Sequence, residues 1–124
     1  MSEFLIIRNT TEFIRFVLDN VVYISAAGNY SDIHTRDNES RTVTLQLGKI
    51  EDDYIEKIAS DKKDFVRVGK SLIVNVDYVH VIIPSKGVLI LSDNSTFKYT
   101  LKADKDVLKD MKKYVEAKWK NEIL

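Results

Sequence analysis

The sequence predicts a mainly β fold, with antiparallel strands, one short helix between the strands and a second helix at the C-terminus. Short runs of β-branched and aromatic residues recur along the chain and are separated by polar turns containing Gly, Asn and Asp. Connections this short join adjacent antiparallel strands, because a parallel crossover needs about a dozen residues or more. The hydrophobic spacing takes a helical period near residue 50 and again near residue 110. With 124 residues and 44% hydrophobic content, we expect one domain spanning residues 1–124.

The N-terminal half predicts four strands followed by an amphipathic helix. The strands are Phe13–Leu18, Val21–Ala26, Tyr30–Arg36 and Arg41–Leu45. Asp19-Asn20 and Gly28-Asn29 separate strands, since Gly and Asn adopt positive φ at low cost and Asp and Asn close tight turns. The helix is indicated by apolar residues at helical spacing, namely Leu47, Ile50, Tyr54, Ile55 and Ile58. We expect Asp61–Asp64 to end it.

The C-terminal half predicts five short strands and the second helix. The strands are Phe65–Val68, Leu72–Val76, Val79–Ile83, Val88–Leu91 and Phe97–Thr100. On both sides of the turn at Gly69 we expect buried aliphatic positions, namely Val66, Val68, Leu72 and Val74. The helix has Asp104 as its N-cap and an apolar stripe formed by Val107, Leu108, Met111, Tyr114, Val115 and Trp119. This stripe either covers the sheet or pairs with a second copy in a homodimer.

Composition and motifs argue against an enzyme. The chain has no cysteine, which excludes disulfides, a thiolate nucleophile and a zinc site built on sulfur. His34 and His80 lie on separate predicted strands, and the acidic residues 51–53 lie on the polar face of the first helix. Neither GxxxxGK[ST] nor GxGxxG is present. We therefore predict no catalytic site, no cofactor and no metal site.

The N-terminus and the hydrophobicity of the chain predict a soluble, cytoplasmic protein. The first residues include Glu3 and only a short apolar run, so the basic and apolar regions of a signal peptide are missing. No apolar stretch approaches the roughly 18 residues that a membrane-spanning helix requires.

The charge is balanced overall but uneven along the chain. There are 19 basic and 19 acidic side chains, which argues against nonspecific binding of nucleic acid. Residues 1–60 carry a net charge of −4 and residues 61–124 a net charge of +4. A polyanion is therefore expected to contact the second half. The alternative is that much of the excess positive charge only forms the solvent-exposed face of the last helix.

Four blocks of sequence, in this order, resemble the LytTR-type DNA-binding domain of bacterial transcription regulators. They are "VVYISAAGNYSDIHT", "TLQLGKIED", "FVRVGKSLIVNVDYV" and "VLILSDNSTFKYTLKADKDVLKDM", and together they cover about residues 20–111. The resemblance implies small stacked antiparallel sheets, which present loops to successive DNA grooves instead of a recognition helix. Because only about 20 residues precede the blocks, we expect a stand-alone domain without a receiver domain.

The resemblance also implies which residues contact DNA. The first loop supplies Asn29, Tyr30 and Ser31, the second supplies Lys70 at the exposed bend and Ser71, and Lys102 follows the last strand. Arg67 matches the family motif as well. Asn75 matches it too, but an Asn inside a strand more often bonds to backbone than to a ligand.

Three departures from the family pattern lower the expected affinity. The family often has His at the position of Gly69 and two basic residues at the position of Leu101-Lys102, and Asp32 adds a negative charge near the first loop. The leading hypothesis is a sequence-specific regulator that binds double-stranded DNA, preferably two short elements in tandem. Its rival is a protein-interaction module that retains the fold without binding DNA.

Overall fold

The computed structural model describes residues 4–56 and 64–124. The chain divides into two compact units after Asp77. The strands of the N-terminal unit are β1 (Phe4–Arg8), β2 (Phe13–Val17), β3 (Val21–Ala27), β4 (Tyr30–Thr35), β5 (Ser40–Val43), β6 (Phe65–Val68) and β7 (Leu72–Asn75). Helix α1 (Leu47–Ile50) follows β5 and continues as a π-helical segment, Glu51–Ile55. The rest of the predicted helix, from residue 57, and the predicted stop at 61–63 lie outside the described residues.

Five strands of this unit form one antiparallel sheet in the order β5-β4-β3-β7-β6. Ile24 of β3 is paired with Ile33 of β4 on one side and with Ile73 of β7 on the other, and all three side chains are buried. Side chains alternate between the two faces of a strand, so this register sets one continuous aliphatic face toward the core. Leu47 and Ile50 of α1 pack into the same core, as do Leu5 and Ile7 of β1.

Strand β1 was not predicted from the sequence. It pairs with β2 in a two-stranded antiparallel sheet, with Ile7 opposite Ile14. Leu5 and Ile7 are buried, whereas Phe4 and Ile6 are exposed. Four consecutive apolar residues conceal this alternation in the sequence, because the outward-facing positions are apolar as well.

The C-terminal unit consists of a three-stranded antiparallel sheet and a helix. The strands are β8 (Val79–Ile83), β9 (Val88–Ser92) and β10 (Lys98–Lys102), in the order β10-β9-β8, followed by α2 (Lys105–Lys118). Asp93 closes the β9–β10 turn, since its Oδ1 accepts the amides of Ser95 at 2.9 Å and Thr96 at 2.7 Å. A hydrogen bond from the Thr96 hydroxyl, helped by these backbone bonds, holds the pKa of Asp93 far below its ordinary value.

Helix α2 has the predicted start, and only part of its predicted apolar stripe is buried within the domain. Asp104 occupies the N-cap position with extended backbone, although its carboxylate makes no capping hydrogen bond. Leu108 and Met111 are buried, whereas Tyr114 is 44% and Trp119 is 40% exposed. Tyr114 lies at the margin of the buried stripe, and Trp119 is the C-cap, where the backbone has left the helical conformation. Leu108 and Met111 of the predicted apolar stripe are thus buried within the domain, whereas its two aromatic residues stay exposed.

The mainly β architecture with two helices is confirmed, and the predicted strands agree with the observed ones to within three residues at each end. Around the turn at Gly69, Val68, Leu72 and Val74 are buried as predicted. Val66 on the edge strand β6 is only half-buried, which differs from the prediction.

Neighbouring isoleucines on β1 allow a matched test of this core. We expect Ile7→Ala to lower the free energy of unfolding by about 2–5 kcal/mol, because it leaves a cavity beneath the sheet. Ile6→Ala removes the same atoms from an exposed position and is expected to cost about 1 kcal/mol or less. Urea denaturation of both variants measures the difference. Equal losses would contradict the observed register of β1.

Candidate nucleic-acid interface

The topology of the five-stranded sheet brings two turns to the same end. Strand β3 is antiparallel to both β4 and β7, with Ala27 opposite Tyr30 and Ser25 opposite Leu72. The β3–β4 turn and the β6–β7 turn therefore both lie where β3 ends. The Ala26 amide donates to the Ser71 carbonyl at 2.8 Å, which joins the bases of the two turns. We call residues 28–30, 45–46 and 69–71 the loop end of the sheet.

The β3–β4 turn presents Asn29 and Tyr30 to solvent. Gly28 has a φ of 64°, and no non-neighbouring atom lies within 4 Å of the position that a Cβ would take. Its positive φ, followed by a residue outside the left-handed region, is the pattern of a two-residue type II′ hairpin turn. Asn29 is exposed and Tyr30 is 49% exposed. Glycine is thus required here by the backbone conformation rather than by crowding.

Ser31 is part of the interior rather than of the exposed loop. It is fully buried, and its hydroxyl donates to the Leu45 carbonyl at 2.7 Å. The expectation that Ser31 is an exposed polar contact is corrected by this placement, because a hydroxyl with no solvent access reaches no partner outside the domain. Asp32 follows on β4, and its carboxylate accepts a 2.5 Å hydrogen bond from Thr42 on β5.

Gln46 is a residue of the loop end that the sequence did not single out. Its side-chain amide donates to Asn29 Oδ1 at 3.0 Å, and both side chains are exposed. Gln46 stands immediately before α1, between Leu45 and the buried Leu47. A polar residue between two apolar ones at a strand-to-helix junction is the signal that indicates an outward side chain at this position.

Arg67 holds the β6–β7 turn in place. Its Nε donates to the Gly69 carbonyl at 3.1 Å and its Nη2 to the Lys70 carbonyl at 2.9 Å. Its Nη1 forms a 2.8 Å ion pair with Glu51, and both side chains are about one-third exposed or less. The guanidinium therefore links the turn to the segment after α1. Because these bonds engage all three of its nitrogens, Arg67 acts on the turn rather than projecting from it.

Lys70 and Ser71 are exposed at this turn, and Gly69 has a φ of 62°. The positive φ explains why glycine stands there. Asn75, at the other end of β7, is buried, and it donates to the Val21 carbonyl at 2.9 Å while accepting from the Asp77 amide at 3.1 Å. These bonds agree with a structural role for Asn75.

Lys102 belongs to the C-terminal unit. It is exposed and is the last residue of β10, opposite Val88, rather than following the strand. The preceding residue, Leu101, is half-buried.

The two histidines lie on separate strands, as expected, with His34 on β4 and His80 on β8. His34 stacks on Tyr23 with ring centroids 4.0 Å apart, and a 2.9 Å hydrogen bond joins its Nε2 to Ser25 Oγ. Burial lowers the pKa of His34, and the nearby Asp32 opposes this effect in part. His80 is exposed on β8. Residues 4–56 and 64–124 contain no cluster of His, Cys, Asp or Glu suited to a metal ion, and none of the helices described there could span a membrane.

Comparison with protein families gives a match that covers most of the chain. The family model of the LytTR DNA-binding domain matches residues 11–116. The chain belongs to the LytTR DNA-binding domain family. This LytTR domain also resembles a solved LytTr DNA-binding domain from a Bacillus cereus protein described as a methyl-accepting/DNA response regulator. That likeness has a TM-score of 0.57 and 19% identity over 89% of this chain and 94% of the other. The comparison with curated proteins gave no match.

Membership confirms the resemblance inferred from the four sequence blocks, and DNA is the partner that the family implies for this LytTR domain. The matched region contains the whole loop end as well as Lys102. At 19% identity, the Bacillus cereus structure supports the fold of this LytTR domain and not the identity of its contacts.

The role of Arg67 in the turn is testable by a conservative change. We expect Arg67→Lys to speed amide hydrogen exchange at residues 69–71 and to lower the thermal midpoint, because an ammonium lacks the planar fork whose three nitrogens reach the two carbonyls and Glu51. Arg41→Lys, at an exposed position of β5, is the matched control. Unchanged exchange at the turn would show that Arg67 does not hold it.

His34 predicts a pH dependence of stability. Its pKa is lowered in the folded state, so the neutral imidazole is favoured by folding. This contribution is complete above the unfolded pKa of about 6.5 and is lost as the pH falls through the lowered pKa. We expect the unfolding midpoint to decline below about pH 6.5 before the carboxylates titrate, and His34→Gln to lack this early decline. An identical pH profile for both proteins would contradict the assignment.

Proposed function

We propose that this LytTR domain is a sequence-specific regulator of transcription that binds double-stranded DNA through its turns. The observation that carries the proposal is the loop end, where two turns at one end of a sheet expose Asn29, Tyr30, Lys70 and Ser71. Their backbones are held by buried or paired groups, so the exposed side chains project from fixed positions. We further propose that the protein has no catalytic role and acts in the bacterial cytoplasm, where its DNA target lies.

Each exposed side chain suits a different part of a duplex. The Lys70 ammonium suits a phosphate or the O6 and N7 acceptors of guanine, and the Asn29 amide suits a base edge. The Ser71 hydroxyl suits a phosphate oxygen. The ring of Tyr30 packs against the sugar-phosphate backbone, and its hydroxyl donates to a phosphate. Lys102 of the C-terminal unit supplies a further cationic contact.

Preorganisation supports this assignment for the second turn. Arg67 donates to the carbonyls of Gly69 and Lys70, and the Ser71 carbonyl accepts the Ala26 amide. Fixing a loop before it binds lowers the entropy lost on binding. Arg67 is thus proposed to contribute to DNA binding through Lys70, in place of a direct contact.

The net charge of zero limits the affinity of a single domain for DNA. With 19 basic and 19 acidic side chains, the general attraction of the protein to DNA is weak. We propose that two copies bind two short elements in tandem, because joining two weak contacts raises the overall affinity without new contacts within each site. A homodimer is the form that holds two copies together.

Selection from a random duplex pool tests the function directly. Purified protein is expected to enrich a short consensus, present twice in the best-retained fragments. Gel-shift measurements at low salt then compare the enriched pool with the starting pool. Equal retention of the two pools would overturn the proposal and favour a protein-interaction module.

Replacement of Lys70 or Lys102 by Ala is predicted to weaken binding of the consensus, by about 1–3 kcal/mol if the lysine reads a base. A lysine that contacts only phosphate weakens all sequences alike and lowers the salt slope by about one unit. Lys112→Ala is the matched control, since it removes one charge that Glu116 already pairs at 2.8 Å. Thermal midpoints close to wild type establish folding. Wild-type affinity of the double variant would place the DNA surface elsewhere.

A further inference from the structure

The hydrogen bond between Asn29 and Gln46 joins two exposed amides from separate segments of the loop end. Gln46 Nε2 lies 3.0 Å from Asn29 Oδ1, although 17 residues separate them along the chain. Residues 4–56 and 64–124 provide no other hydrogen-bond partner for either side chain. One bond between two amides therefore leaves an NH₂ group on Asn29 and a carbonyl oxygen on Gln46 outside the pair.

The backbone of Gln46 is held on both sides. The preceding carbonyl, of Leu45, accepts the 2.7 Å hydrogen bond from the buried Ser31. The Gln46 carbonyl accepts the amides of Lys49 and Ile50, each at 3.1 Å, and the following side chain, Leu47, is buried. The Asn29 backbone lies in the two-residue turn between the paired strand residues Ala27 and Tyr30. Two fixed backbones thus carry two exposed amides that orient each other.

Stabilisation of the turn does not by itself account for this pair of amides. A hydrogen bond between exposed groups adds little net stability, because water replaces it on unfolding. One amide donor and one amide acceptor are the complement of one base edge, because adenine presents the N7 acceptor and the N6 amino donor side by side in the major groove. Guanine presents two acceptors there, N7 and O6, so it would leave the amide carbonyl facing an acceptor.

We propose that Asn29 and Gln46 together read one adenine in the major groove, and that Gln46 is a specificity-determining residue of this domain. The inference rests on the proposed function, because it requires that the loop end enters a groove of double-stranded DNA. The Asn29 amide donates to N7, and the Gln46 carbonyl accepts from N6. Ser31 contributes by fixing the backbone beside Gln46.

Selection from random duplex with wild-type protein and with Gln46→Ala tests the assignment. The wild-type consensus is expected to contain an adenine at which replacement by guanine weakens binding about tenfold. Gln46→Ala is expected to lose most of that discrimination at this position alone, with an unchanged salt slope and thermal midpoint. Asn20→Ala removes an exposed amide next to the start of β3, at the opposite end from the loop end, and is expected to leave the consensus unchanged.

A modified base gives a second measurement, and its first part uses only the wild-type protein, so that part does not depend on the folding of a variant. Replacing the selected adenine by 7-deazaadenine removes the N7 acceptor and is expected to weaken wild-type binding several-fold. The same replacement is expected to weaken Gln46→Ala less, because the Asn29 donor is no longer oriented.

The two proposals fail in different ways. The proposal that Asn29 and Gln46 read an adenine is overturned if Gln46→Ala leaves the consensus unchanged or weakens binding of all sequences alike. Either result leaves the proposed DNA-binding function in place. Failure of the wild-type protein to enrich any consensus overturns both.

Discussion

Antiparallel pairing of β3 with both of its neighbours is the constraint on which the loop end depends. Since β4 and β7 both run against β3, the turn entering β4 and the turn entering β7 must lie at the same end of the sheet. Ile24, paired with Ile33 and with Ile73, fixes the register on both sides at once. A slip of one residue would turn this aliphatic face outward, so burial of the core also fixes which side chains project at the turns.

Two of the polar residues predicted to contact DNA instead form hydrogen bonds that hold the loop end in place. Ser31 and Arg67 bond to backbone carbonyls in the segments that carry Gln46 and Lys70. A match to a family motif therefore does not by itself identify a residue that contacts DNA. Burying a hydroxyl is costly unless it is bonded, and the Leu45 carbonyl satisfies Ser31. Motif positions in this domain divide into those that hold the turns and those that project from them.

Much of the fold follows from local signals, whereas the roles of the site residues depend on contacts distant in sequence. Turn residues such as Gly28 and Gly69 predicted the strand order along the chain and the exposure of Lys70. Strand β1 was missed because its exposed positions are apolar. The partner of Ser31 is 14 residues away and that of Arg67, Glu51, is 16 residues away. No spacing rule indicates such pairs, since they arise only when the sheet and α1 pack together.

In the proposed DNA-binding role, the fixed backbone of the loop end offsets the weak nonspecific attraction to DNA that a net charge of zero implies. A domain with no net charge has little nonspecific attraction to phosphate, so its affinity must come from a few well-placed groups. Groups of this kind are effective only if their positions are set before binding, because each side chain or loop that becomes ordered on binding costs free energy. The bonds from Ser31 and Arg67 set the backbone at Gln46 and Lys70 while leaving those two side chains exposed. In the proposed DNA-binding role, stability and recognition depend on the same hydrogen bonds, which link the exposed turns to the buried core.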